Sequence, residues 1–267
     1  MQTLKSTKTL LDKQYDIWHT GNFNDQDPIS IPHRFKLKED IEIAAFLTAL
    51  IAWGNRKSII SSAEKMMTLL DNSPHQFILQ HQSIDLKPLS QFVHRTFNGE
   101  DFISLLSFLN LAYTQYNGLE NCFSMHLNPK DLSVENALNG FKQLYVNSEA
   151  HLKRTEKHIA SPAQGSACKR LNMFLRWMVR HDAKGIDFGL WKTIKTSQLI
   201  CPLDVHVIRQ ALKLKLLKTD KSNWNNALEL TNALKKLCPN DPVKYDFALF
   251  GLGIQETLQN KAKISLR

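Results

Sequence analysis

The chain has 267 residues, 43% of them hydrophobic, enough for one large domain or two small ones with a real core. Its 34 Lys and Arg against 25 Asp and Glu give a formal charge of +9, and a pI near 9.3 favours a polyanionic partner, nucleic acid first. Cys122, Cys168, Cys201 and Cys238 are far apart and form no CxxC pair, so no disulfide frame or thiolate zinc site is implied and a reduced compartment suits the chain. Without a cleavable signal or a membrane-length apolar run, a cytoplasmic protein with no membrane partner is expected, nucleoid-associated if bacterial.

Up to Lys38 the chain is polar and turn-rich, with breaks at Gly21-Asn22, Asp27-Pro28 and Ile31-Pro32. Residues 1–39 therefore read as an N-terminal arm packed on the surface. Asp40 opens a run from Ile41 to Trp53 that is apolar almost all round, the pattern of a helix buried at the centre of a helical protein. Gly54-Asn55 ends it, and residues 56–71 read as a second helix with Ile59, Ala63, Met66, Met67 and Leu70 facing inward. Further helices are predicted over 87–95, 100–116, 134–146, 148–158, 188–195, 205–214, 223–237 and 241–251. The last opens on Asp241-Pro242, a cap followed by proline at the first helical position. No alternating apolar run suggests a sheet, so the fold class is all-α. No internal repeat or low-complexity linker marks a domain seam.

Two stretches carry chemistry. Over residues 166–180, Ala167, Leu171, Phe174, Leu175 and Met178 make an apolar stripe, with Lys169, Asn172, Arg176 and Arg180 on the other side. That is either a solvated basic face or, with Arg170 and with Lys153 and Arg154 upstream, a track for phosphates. Lys169 falls in the first helical turn, where the macrodipole disfavours positive charge. Downstream, Pro202 forces a non-helical approach, and Asp204 then stands where a helix N-cap belongs. Val205, Ile208, Leu212 and Leu216 follow at helical spacing. On these grounds alone Asp204 is a good cap.

The run L-I-C-P-L-D-V-H-V-I-R-Q-A-L-K-L-K-L-L, residues 199–217, and G-S-A-C-K-R-L-N-M-F-L-R, residues 165–176, add a second meaning. They resemble the helix-hairpin-helix DNA glycosylases, the superfamily of endonuclease III and the 8-oxoguanine glycosylases. The whole chain is also similar to a bacterial family of unknown function grouped near these enzymes. The resemblance implies that Asp204 is catalytic and that Lys169 is the nucleophile of a bifunctional glycosylase/lyase. It further implies two helical lobes with a cleft between them, residues 40–150 and 151–267, the arm packing on the second. The hairpin from Ser161 to Ala167 would present backbone N–H groups to phosphate at Gly165 and Ser166. Here the chain departs from the family, because the usual Leu-Pro-Gly-Val-Gly pattern is missing and an ordinary interhelical turn stays open as a reading.

Carried over in the same way, Asn55 and Arg56 of the turn Trp53-Gly54-Asn55-Arg56 would fill the gap left by a flipped base. Trp53 would either stack on a base or finish the core. The long stretch between Lys169 and Asp204 is similar to an archaeal branch of 8-oxoguanine glycosylases and points to an oxidised or damaged purine. Residues 247–253 resemble the helix that borders the base pocket. The expected partner is damaged duplex DNA, bound by a monomer. Endonuclease III's four clustered cysteines have no counterpart, so no iron–sulfur cluster and no other cofactor is expected. Neither His151 with His158 nor Cys122 with His126 makes a metal ligand set. Two other readings stand beside the glycosylase: a non-catalytic DNA or RNA binder with the same fold, and a helical protein whose charge is incidental.

Overall fold

The computed structural model describes residues 4–20 and 27–265; the Gly21-Asn22 break lies outside the described residues. Among the described residues the fold is all-α apart from one tiny hairpin. Helix α1 (Leu4–Trp18) comes first, and α2 (Lys38–Leu50) is the hub. Every residue of α2 from Asp40 to Leu50 is buried; a helix apolar on all sides has no face to give to water and must be enclosed. Helices α3 (Arg56–Leu69) and α4 (Pro74–Gln80) pack on it. Strands β1 (Val93–His94) and β2 (Phe97–Asn98) pair antiparallel and lead into α5 (Gly99–Gln115), which a reciprocal capping box between Asn98 and Asp101 starts.

Helices α6 (Leu119–Ser124), α7 (Glu135–Val146) and α8 (Lys169–Val179) complete the surround of α2. An aromatic cluster knits them: Phe46 of α2 meets Phe141 at 5.7 Å and Phe174 at 5.4 Å, and Phe123 stacks on Phe141 at 3.9 Å. Helices α9 (Val205–Lys213), α10 (Trp224–Lys235) and α11 (Tyr245–Ser265) follow, with α9 packed on α11.

Beyond α4 and α6, two short helices that the sequence reading does not predict, four segments differ from it. The N-terminal arm contains α1, which lies along α11 with Thr7 and Leu11 buried. Residues 148–158 hold only a short 3-10 turn, Lys153–Lys157. Residues 87–95 hold the 3-10 turn Pro88–Gln91 and then strand β1, whose two residues are too few to show alternation. Residues 188–195 are not helical. The backbone N–H groups of Phe188 and Trp191 donate instead to Trp177 O at 2.8 Å and Met178 O at 2.9 Å, satisfying carbonyls orphaned at the end of α8. Gly189, at φ +59, lets this segment press against the backbone of His181. Trp191 is then buried and donates its indole N–H to Glu42 Oε1 at 2.7 Å.

Candidate active site

The turn before α8 holds two left-handed residues, Gly165 at φ 74 and Cys168 at φ 47, the second standing just before the helix. Ser166 Oγ accepts the Cys168 N–H at 3.1 Å, which fixes the entry and makes Lys169 the first residue of α8. On the other side, Cys201 to Leu203 run buried and non-helical, and Cys201 N–H donates to Thr231 Oγ1 at 3.0 Å. Asp204 then caps α9: its Oδ1 accepts from His206 N and Val207 N, both at 2.9 Å. With one oxygen fixed in this way, Oδ2 is left to face Lys169 Nζ at 3.5 Å. The lysine side chain is 40% exposed and the carboxylate 14%, so the pair sits where a ligand can reach it.

Both residues line a cleft of about 1020 Å³. Trp53, Met173, Phe247 and Phe250 give it an apolar wall, and Asp27, Arg56, Arg176, His206 and Asp246 supply polar groups. A smaller cavity of about 230 Å³ adjoins it along the start of α8, sharing Ala52, Trp53, Lys169 and Ser222.

The cleft floor holds an acid the sequence reading overlooked. Asp246, in the first turn of α11, pairs through Oδ2 with Arg176 Nη1. Burial pushes its carboxyl up to about 6; Arg176 works against that and Asp204 adds to it. Asp27 is raised too, again by burial, with Arg56 opposing. In sequence the only sign of Asp246 is one acid interrupting the apolar run Tyr245–Phe250, and that pattern alone does not show which way it points.

The expected basic face of α8 does not exist as a face. Arg176 and Arg180 are 4% and 2% exposed. Arg176 also bonds Asp187 at 3.3 Å. Arg180 binds Asp187 at 2.9 Å, Asp241 at 3.0 Å, Asp182 at 3.3 Å and the Tyr15 hydroxyl at 2.7 Å. Asn172 is buried as well. These are enclosed charges held by carboxylates, and as tracks for phosphate both arginines are ruled out. Arg170 is turned inward, donating to Leu50 O at the end of α2 and to Lys157 O at 3.2 Å, with its guanidinium 4.7 Å from the Trp53 ring centre. Arg154 pairs with Glu100 and Asp101, and Lys153, well exposed, with Glu156 at 3.3 Å.

In the turn after α2, Asn55 is the N-cap of α3, accepting from Lys57 N at 2.9 Å and Ser58 N at 3.4 Å. Arg56 reaches across the cleft to Asp27 at 3.7 Å and lies 5.4 Å from the Phe250 ring centre. Trp53 stacks on His158 at 5.5 Å with His94 against its edge at 5.3 Å, while still lining both cavities. Gly165 O accepts Trp224 N–H at 3.1 Å, which ties the turn before α8 to the start of α10.

Among the described residues no group of three or more His, Cys, Asp or Glu is placed to hold a metal ion, and no helix is long and apolar enough to cross a membrane. No curated protein and no solved structure matches the chain. The model of a family described as a protein of unknown function (DUF2400) matches residues 27–255, which is most of the chain, and the chain belongs to that family.

Proposed function

We propose that the chain is a helix-hairpin-helix DNA glycosylase with lyase activity, excising an oxidised or otherwise damaged purine from duplex DNA. The observation that carries this reading is the Lys169 Nζ to Asp204 Oδ2 approach of 3.5 Å inside the large cleft. An amine and a carboxylate at that distance are the two groups that base excision through a covalent intermediate requires. Lys169 Nζ, as the free amine, attacks the sugar's anomeric carbon, and the glycosidic bond breaks with its electron pair leaving on the base. Asp204 Oδ2 takes the proton from the nitrogen and stabilises positive charge developing on the sugar. The sugar ring opens to a Schiff base on Lys169, from which elimination of the 3′ phosphate nicks the strand.

The cleft wall supports a base as ligand. Trp53, Phe247 and Phe250 offer an apolar surface of the kind that receives a nucleotide flipped out of the duplex, at a cost of a few kcal/mol offset by stacking and backbone contacts. The two lobes of this reading would be residues 40–150 and 151–267, meeting at the cleft.

The test is borohydride trapping with duplex oligonucleotides that carry a panel of damaged bases. A covalent adduct that disappears in Lys169→Ala is expected, and the trapped lesion names the substrate. Tight binding to duplex without any adduct or excision across the panel would overturn the enzyme and leave a non-catalytic nucleic-acid binder.

A further inference from the structure

With Arg170, Arg176 and Arg180 engaged inside the protein, the positive charge that meets DNA must come from elsewhere. Residues 214–223, joining α9 to α10, carry Lys215, Lys218 and Lys221, all exposed. Among the described residues none of the three has a carboxylate within ion-pair distance, in contrast to Lys153, Arg154, Arg176 and Arg180. Asp220, the one acid of the loop, lines the large cleft and pairs with none of them. Ser222 lines both cavities, so the loop forms part of the rim beside Lys169.

The loop is a fixed platform. Asn226, 6% exposed, places its Nδ2 2.9 Å from both Thr219 O and Thr219 Oγ1 and 2.8 Å from Lys221 O. Leu217 anchors the loop in the core, and Lys215 takes a left-handed turn at φ 57. The loop's end is stitched to the turn before α8 by the Ser166–Asn223 bridge and by the Trp224 N–H to Gly165 O bond. Lysines on a preformed backbone lose less freedom on binding than lysines on a flexible tail.

We infer that this loop is a phosphate-binding surface, with Lys215, Lys218 and Lys221 taking the backbone of the DNA strand whose flipped nucleotide enters the cleft. The inference rests on the glycosylase reading for its partner. It adds a surface that neither the hairpin nor the catalytic pair supplies, and it follows from where unpaired charge stands on the rim.

The experiment is a salt series of binding titrations with a labelled duplex oligonucleotide containing an abasic-site analogue, using the full chain and Lys218→Ala/Lys221→Ala. Each phosphate contact adds about 0.9 to the log–log slope, so the double variant should lose roughly two slope units and bind about tenfold or more weakly at low salt. Its melting temperature should not change. The pair Lys87→Ala/Lys130→Ala, away from the cleft lining, should leave the slope alone. A parent slope that is steep and untouched by the loop variant overturns the inference and leaves the enzyme reading standing. A parent that neither binds duplex nor traps an adduct overturns both.

Discussion

Asp246 and Arg176 are paired at the floor of the cleft, and Asp187 holds the same guanidinium from the other side at 3.3 Å. The pair therefore connects a ligand-facing carboxylate to a chain of buried charges that continues through Asp187 and Arg180 to Tyr15 of α1. An arginine with carboxylates on both sides is a structural member, and its charge is balanced before any ligand arrives.

The Asp246 carboxyl, raised from 3.8 to about 6, gives the first expectation. Between those values the folded chain keeps a proton that the unfolded chain has released, so this group's part in stability falls as pH rises through that window. Asp246→Asn removes that titration. The stability of the parent minus that of the variant, from urea unfolding at several pH values between about 4 and 7, should decline as pH rises. A difference that grows with pH would mean that the pairing with Arg176 outweighs burial and that the carboxyl is held low.

Asp187 is fully buried and shared by Arg176 and Arg180. Removing it leaves two enclosed guanidinium groups short of a partner, so Asp187→Ala should destabilise the protein by about 3–5 kcal/mol. Lys153→Ala, an exposed side chain paired to Glu156, should change stability by no more than about 0.5 kcal/mol. Chemical denaturation of both variants checks the ranking, and comparable small losses would show that the network does not hold α8 in place.

Asn55 and Arg56 separate by their contacts. Asn55→Ala should cost about 1 kcal/mol as a lost cap, and Asn55→Asp should restore it. The Arg56–Asp27 pair is partly exposed and contributes under about 1 kcal/mol, so Arg56→Ala should leave the fold intact. If Arg56 leaves Asp27 to support an opened duplex, Arg56→Ala weakens binding to damaged duplex much more than to an abasic single strand, since only the duplex must be held open. Equal weakening on both would assign Arg56 to the cleft's architecture alone.

How much of this could be read from the residues follows from the range of the interactions. The run from Ile41 to Ala52 is enclosed wherever it sits, so its burial and the helical class were legible. The cap at Asp204 was legible too, because a cap is local. The helical reading of residues 188–195 failed because Ile186, Leu190, Trp191 and Ile194 have helical spacing while the backbone N–H groups of Phe188 and Trp191 are taken by carbonyls of α8. Arg176 and Arg180 read as solvent-facing because the stripe of α8 shows only its own apolar side. Asp241 and Asp246 lie some sixty or seventy residues further along the chain, and periodicity within one helix carries no trace of them. In α1, Thr7, Leu11, Tyr15 and Trp18 do repeat at helical spacing, but the turn residues after them drew the whole segment into an arm.

The Lys169–Asp204 pair gives the most decisive expectation. Asp204 has two structural tasks on two oxygens: Oδ1 caps α9 and Oδ2 faces Lys169. In Asp204→Asn the amide oxygen can keep both backbone bonds, since asparagine caps about as well as aspartate, and the amide nitrogen then faces Lys169. Stability should stay within about 1 kcal/mol of the parent, while excision slows by roughly two or more orders of magnitude for want of the charge and the base. Asp204→Ala should lose the cap as well, about 1 kcal/mol further. Lys169→Ala should retain fold and DNA affinity but lose nicking and adduct formation together, because one nitrogen performs both. Thermal melts with single-turnover assays on a trapped lesion read these effects separately. Cleavage by both Lys169→Ala and Asp204→Asn at the parent rate would leave Asp204 a helix cap and nothing more.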